Sequence, residues 1–359
     1  MNKKQIIEIF NFFDHRHKYQ SVEELVSGHI NDTYLVRTNG DEDYILQRIN
    51  HTVFKDVPGL VNNKVIVSQH IKSKLSHLPH AQLRKKVLCF VKTKESGLYY
   101  YKSGGNYWNL MIYIKDSYTH EVVQDEKIAY EGGKLLGEFL NLTDDFDNSK
   151  LTEVIPNFHD MSFRYQQYVR AIQCASKERV IKAIDYTNEV SRLKEEMHIL
   201  QNLKESGKIP LRVTHNDTKI SNTLFDKDGH GLCVIDTDTV MPGIVHYDFG
   251  DAIRTICNTV AEDAQDLSKV TFNLDYYKAY TKGFLEQMQD VLTPIELKYL
   301  PLAAKTMIFI MALRFLTDYL NNDVYYKIKY PEHNLDRAKN QFKLIKSLEE
   351  QYDKMEIVL

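Results

Sequence analysis

The stretch THNDTKISN (214–222) sets four polar side chains at fixed offsets. His215 stands two before Asp217, Lys219 two after it and Asn222 five after it. Beyond a DKDG turn (226–229), a short apolar run at 232–235 ends on Asp236, nineteen residues past Asp217. Phosphoryl transfer needs an acceptor for the hydroxyl proton and hard oxygen ligands for Mg²⁺ close to the phosphates. A loop can present Asp217 to a hydroxyl while Asn222 turns to the metal, and a returning strand can bring Asp236 to the ion. Asp217 is therefore the candidate catalytic carboxylate, with Asn222 and Asp236 the candidate metal ligands. Any one of these residues could merely cap a turn; it is the set, at these offsets, that points to this chemistry. A second acidic group, Asp248, lies in Asp248-Phe249-Gly250, 31 residues past Asp217 and with no strand-turn-strand immediately before it. We read it as structural, a brace for the loop, and place the metal-binding role on Asp236.

The elements that must position these groups change character along the chain. Residues 21–26, 33–38 and 43–49 have the pattern of strands, with Asn39-Gly40 as a turn between the second and third. Residues 58–76 have helical spacing, with Leu60, Val61, Val65, Val67, Ile71 and Leu75 as buried positions. A strand over 87–93 and a hairpin across 103–106, leading into a strand at 107–114, complete this part. From about residue 116 the spacing is helical: 125–142, 181–206, 273–290 and 335–353. The Thr293-Pro294-Ile295-Glu296 capping box opens a long helix running to about 320. Only 213–238 interrupts this region. The expectation is an α+β chain, with a small antiparallel β-sheet lobe (1–114) and a larger, mainly helical lobe (115–359).

Composition narrows the classes. Of 359 residues, 46 are Lys or Arg and 49 Asp or Glu, a formal net charge of −3; a general nucleic-acid binder should carry a basic excess. The four cysteines are scattered with no C-x-x-C pair, which disfavours a zinc framework and fits reduced, buried thiols in a cytoplasmic protein. The N-terminal segment fits an amphipathic helix better than a signal peptide. The most apolar internal run, 306–313, is far short of the roughly 20 residues that span a bilayer, so no membrane partner is expected. No G-x-x-x-x-G-K-[ST] occurs, which excludes a Walker-A ATPase.

The set VTHNDTKISNTL, VIDTDTVMPG and YDFGDAIR resembles the aminoglycoside phosphotransferase and choline kinase superfamily, whose fold is the two-lobed protein-kinase-like one. GHINDTYLV (28–36), YILQRIN (44–50), LRVTHNDTK (211–219), ALRFLTDYL (312–320) and KYPEHNL (329–335) more narrowly resemble N-acetylhexosamine 1-kinases. That resemblance implies an enzyme that uses ATP and Mg²⁺ to phosphorylate the anomeric hydroxyl of N-acetylglucosamine or N-acetylgalactosamine. It places Gly28, Asn31, Thr33, Gln47 and Lys219 at the nucleotide, and His29, Asp217, Arg314 and Tyr325 at the sugar. Asp251 and Arg254 are further candidates for the wall of the sugar site.

The chain departs from the protein-kinase pattern in three places. The third-strand lysine position in YILQ is Gln47, and strand alternation points the adjacent Arg48 to the other face. Residues 58–76 contain no glutamate to pair with such a lysine, and Gly28 is the sole glycine of the first loop. Arg314 could also form an ordinary helix ion pair with Asp318. The alternatives are a kinase of the same superfamily with another acceptor, such as an aminoglycoside, choline or homoserine, and a non-catalytic nucleotide- or sugar-binding protein. No acidic wall suited to a cationic acceptor is evident beyond the carboxylates already named.

Overall fold

The computed structural model describes residues 3–25 and 30–356. The chain begins with α1 (Lys3–Asn11), β1 (Tyr19–Leu25), β2 (Asp32–Thr38), β3 (Tyr44–Ile49), α2 (Val57–Lys74), α3 (His80–Lys86), β4 (Tyr101–Ser103) and β5 (Asn106–Ile112). It continues through α4 (Glu126–Leu142), α5 (Met161–Cys174), α6 (Lys177–Lys182), α7 (Ile184–Met197), α8 (Ile199–Glu205), β6 (Arg212–Thr214), β7 (Thr223–Phe225) and β8 (Gly231–Val234). The last elements are α9 (Val245–Ile256), α10 (Leu274–Met288), α11 (Pro294–Lys298), α12 (Leu300–Leu320), α13 (His333–Glu349) and α14 (Tyr352–Glu356). Two compact units emerge. The first holds residues up to 119 together with 142–156 and 222–242; the second holds 120–141, 157–221 and 243 onward.

The first unit is built on an antiparallel sheet in the order β1-β2-β3-β5-β4. Alternation divides its side chains. Tyr34, Val36, Tyr44, Leu46, Trp108 and Leu110 form one face, closed by Ile6, Ile9, Phe10 and Phe13 from α1 and the turn after it. The other face carries Ile45 and Met111, packed with Leu88, Phe90, Leu224, Cys233 and Ile235. It also carries a polar row, because Gln47 pairs across the strands with Thr33 on one side and Asn109 on the other. Arg48 takes the alternate direction and bridges to Asp32. The segment 87–93, expected as a strand, instead follows α3 and meets its neighbours in isolated bridges, Phe90 with Met111 and Thr93 with Phe13. The pairs Val91 N–Leu110 O (2.8 Å) and Ile112 N–Cys89 O (2.9 Å) still tie it to β5.

The helix expected over 58–76 is α2, whose start is fixed by Asp56 accepting from Gly59 N at 3.0 Å and by Pro58 in the first turn. All six residues expected to be buried there are buried. So are Asn63 and Lys64, which the periodicity did not single out.

The second unit centres on α12, which packs against α5, α9 and α13. By length and composition α12 could cross a membrane, but nineteen of its 21 residues are buried inside the protein. The two that are not, Met311 and Arg314, are one turn apart on one face. The single long helix expected from the Thr293 capping box breaks at Tyr299, because Pro301 removes a backbone donor just beyond it. The capping box itself is present. Residues 181–206 similarly divide into the end of α6, α7 and α8. All four cysteines are free thiols; Cys233 and Cys257 are buried, Cys89 is partly buried and Cys174 is exposed, so the expectation of four buried thiols holds for two.

Candidate active site

The first unit holds the candidate metal residues and the candidate nucleotide residues other than Lys219, which lies in the second unit. Register puts Asn222 next to the Thr223–Val234 pair of β7 and β8, and Ile235 N donates to Asn222 O at 2.9 Å. This backbone pairing brings Asn222 to the end of the strand that delivers Asp236. Asp236 has a left-handed backbone (φ 57), a conformation unusual for a non-glycine residue and concentrated at functional sites. Two residues on, Asp238 is buried and holds Asn31 with one carboxylate oxygen and Lys64 with the other. Lys64 Nζ also donates to Gln47 Oε1 at 3.2 Å, and Asn31 Oδ1 accepts from Asn50 N at 2.8 Å. Asn31, Gln47 and, through its cross-strand pairing, Thr33 are thus brought into one network. Gly28 and His29 lie outside the described residues.

The second unit holds the acceptor candidates around loop 215–219, whose backbone donors are satisfied one after another. Asp248, in the first turn of α9, accepts from His215 N and Asn216 N, each at 2.7 Å. Asp217 N donates to His215 Nδ1 at 3.3 Å, and Thr218 N to Asp251 Oδ2 at 3.2 Å. Thr218 Oγ1 donates to Asp248 O at 2.6 Å, and His159 Nε2 donates to Asn216 O at 3.2 Å. Asn216 sits at φ 64, its amide turned back onto Thr214 O and Oγ1. The outcome is a rigid loop with a half-buried Asp217 carboxylate, 3.3 Å from Lys219 Nζ. Burial pushes the Asp248 carboxyl up to about 6 against the pull of the donors it accepts. Burial pushes the Asp251 carboxyl the same way, but Arg254, at 2.9 Å, and the Thr218 N–H it accepts outweigh it and leave it below its ordinary value. Burial holds His159 neutral, near 3.

Phe249 is fully buried, and a Cβ on Gly250 would stand 2.3 Å from Ala303 O of α12. All three residues of the literal DFG therefore serve packing: a backbone brace, a core ring and a close helix crossing.

Arg314 does not pair with Asp318. Asp318 accepts instead from Tyr325 N (2.8 Å), Tyr326 N (2.9 Å) and Asn334 Nδ2 (2.9 Å), fixing the turn after α12. Arg314 lies against the rings of Phe158, Tyr326 and Tyr325 at 5.4, 5.6 and 5.9 Å. Burial, with Arg314 adding to it, lowers neighbouring Arg164 to about 10. Tyr325 is exposed.

Residues 21–280 match the phosphotransferase enzyme family (APH). The chain belongs to this family. The fold agrees: an aminoglycoside phosphotransferase from Alicyclobacillus acidocaldarius superposes with a TM-score of 0.65 at 13% identity, covering 97% of this chain and 96% of that one. A microcompartment-associated aminopropanol kinase matches with a TM-score of 0.58 at 13% identity over 99% of both chains. A choline kinase from Cryptosporidium parvum gives 0.57 at 14% identity over 98% of this chain and 97% of that one. The protein is a small-molecule phosphotransferase with the kinase-like fold, an antiparallel sheet lobe and a larger helical lobe.

Phosphotransferases of this family use ATP with a divalent metal, generally Mg²⁺. The donor set fits that ion. No cluster of three or more His, Cys, Asp or Glu side chains suited to a metal occurs among the described residues. Mg²⁺ is commonly held by one or two protein carboxylates, with waters and phosphate oxygens completing its shell. One carboxylate, Asp236, and one amide oxygen, Asn222, suit that mode. What spacing did not reveal in this phosphotransferase is Lys64, His159 and Arg164. Lys64 meets an aspartate 174 residues away, and no motif ties His159 to loop 215–219.

Proposed function

We propose that this phosphotransferase moves the γ-phosphoryl group of ATP to the anomeric hydroxyl of an N-acetylhexosamine. The observation that carries the acceptor class is the Arg314 corner. Its guanidinium faces three aromatic rings, has no carboxylate at ion-pair distance among the described residues, and shares its surroundings with Arg164. Two guanidinium groups disfavour a cationic acceptor such as choline or an aminoglycoside. They suit an uncharged one rich in oxygens, since an arginine supplies up to five donors in a fixed fork. The exposed Tyr325 ring offers a face for the sugar, and the motifs shared with N-acetylhexosamine 1-kinases point the same way.

In this reading Asp217 aligns the C1 hydroxyl and accepts its proton, while Lys219, 3.3 Å from that carboxylate, serves the nucleotide. Asp251 and Arg254 line the sugar site and hold Thr218 in place. Arg314, Tyr325 and His29 bind the sugar. Gly28, Asn31, Thr33 and Gln47 serve the nucleotide in the first unit, where Ile45, Met111, Leu224 and Ile235 offer an apolar surface for the base. Asn222 and Asp236 hold Mg²⁺, which neutralises charge on the phosphates. Fixed positioning of the reactants supplies much of the rate in such a transfer.

The test is an ATP-consumption screen with N-acetylglucosamine, N-acetylgalactosamine, glucose, galactose, choline and an aminoglycoside, followed by phosphorus NMR on the product. An anomeric phosphate couples to H1 and is acid-labile. A 6-phosphate, or no turnover with either N-acetylhexosamine, would overturn the assignment.

A further inference from the structure

The strand position from which a cation would reach the nucleotide phosphates carries Gln47, an uncharged amide. The structure brings a lysine to that amide from a different element. Lys64, on the second turn of α2, runs inward until its side chain is 1% exposed, and its Nζ ends 3.2 Å from Gln47 Oε1. Its other located contacts are Asp238 Oδ1 and, at 5.6 Å, the face of the Phe90 ring.

A stability role alone is a poor account of this arrangement. A lysine placed wholly inside a protein loses its hydration, and a buried ion pair commonly does no better than an apolar pair of the same size. The surroundings are also more polar than a lone pair requires. Asn109, directly across from Gln47 on β5, is fully buried, and neither its amide nitrogen nor its amide oxygen has a partner among the described residues. Thr237, between Asp236 and Asp238, likewise has a buried hydroxyl without a partner. Unmet buried polar atoms next to Gln47 and Asp238, the two partners of a buried ammonium ion, call for a ligand with oxygens to offer. The ammonium group also has three donors, of which the chain's located contacts use two. Asp238 in turn sits two residues from the candidate metal ligand Asp236.

We propose that Lys64 is the nucleotide-phosphate-binding cation of this protein, supplied from α2 in place of a third-strand lysine, with Gln47 and Asp238 holding its ammonium group in position. The proposal rests on the assignment of ATP as phosphoryl donor. It makes the Lys64–Gln47 pair a relocation of charge: the amine comes from α2, and the third-strand position carries an amide that it contacts.

Calorimetric titration with ADP and, separately, with adenosine, both in EDTA, tests this apart from turnover and from metal. Wild-type protein is expected to bind both. Lys64→Gln should weaken ADP by about ten- to a hundred-fold, the scale of one lost charge-assisted contact, and leave adenosine within about threefold. Adding Gln47→Lys to that variant returns the amine to β3 and should restore ADP to within about threefold of wild type. If Lys64→Gln does not fold, Lys64→Gln with Asp238→Asn removes both charges together and carries the same comparison. Unchanged ADP affinity in a folded variant, or equal losses for ADP and adenosine, overturns the role of Lys64 and leaves the kinase assignment standing. Wild-type protein that binds neither ADP nor ATP sinks that assignment itself.

Discussion

Asp248→Ala separates a brace from a metal ligand. The wild-type carboxylate accepts two backbone donors at 2.7 Å in a fully buried setting. Alanine orphans both, at about 1–3 kcal/mol each, so about 2–6 kcal/mol of stability is at stake. Against this stands the burden of a buried charge. Burial raises the native carboxyl to about 6 from an ordinary 3.8, so ionising it by pH 7 sets aside about 3 kcal/mol. The sign follows from proton binding. The native state holds this proton more tightly, so the contribution is fully present below pH 3.8 and is lost as pH rises through 6. At pH 5 the native carboxyl is mostly protonated, and between pH 5 and 7 wild type loses about 1 kcal/mol that the alanine variant never had. The stability gap between the two should therefore be larger at pH 5 than at pH 7, by about 1 kcal/mol. Urea unfolding followed by far-ultraviolet circular dichroism measures it, and amide exchange at 215 and 216 locates it. The magnesium requirement of the residual activity should be unchanged, whereas Asp236→Ala should abolish magnesium-dependent turnover. A gap that is flat or widens towards pH 7, or a shifted magnesium requirement in Asp248→Ala with none in Asp236→Ala, would refute the reasoning.

Asp217→Asn should lower kcat by about 10²–10⁴-fold, the usual range for a positioned general base, with an unchanged unfolding transition; retention of more than about a tenth of the wild-type rate would remove Asp217 from that role. Arg314→Ala should raise KM for the sugar well above tenfold while KM for ATP moves less than about twofold, the loss expected for one charged hydrogen-bonding group; equal changes in both would argue for a structural effect. Gly250→Ala should destabilise the second unit by at least about 1–3 kcal/mol, since its Cβ meets the backbone of α12, and helical circular dichroism through a urea titration reads the shift.

Where local pattern decides the outcome, the sequence was legible. Strands β1 to β3 and helices α2, α4 and α10 follow from alternation, caps and helical spacing, and the β7–β8 hairpin from its DKDG turn. Where burial is all-round, periodicity carries no signal. Helix α9 is buried at every position from Val245 to Ile253, so spacing did not mark it as a separate helix within the helical region. The strand expected at 87–93 was an apolar run too short to separate strand from other extended backbone. Long-range pairing was equally hidden. Lys64 follows two asparagines and looks like part of a solvated helix face until Asp238, far along the chain, arrives to meet it.

The literal DFG shows how a motif's letters and its chemistry can part. The candidate metal ligand Asp236 lies two residues beyond the end of β8, at a left-handed backbone position. Asp248 instead opens a helix whose next residues are consumed by packing, and both its oxygens are already committed to the backbone of 215–216. A carboxylate so engaged could bind a metal only by releasing the loop that presents Asp217. The two aspartates are thus not interchangeable candidates for one role. Asp248 fixes the backbone on which the proposed base rides, which is why its loss should be felt in stability and proton linkage, while the metal requirement is expected to follow the proposed ligand Asp236.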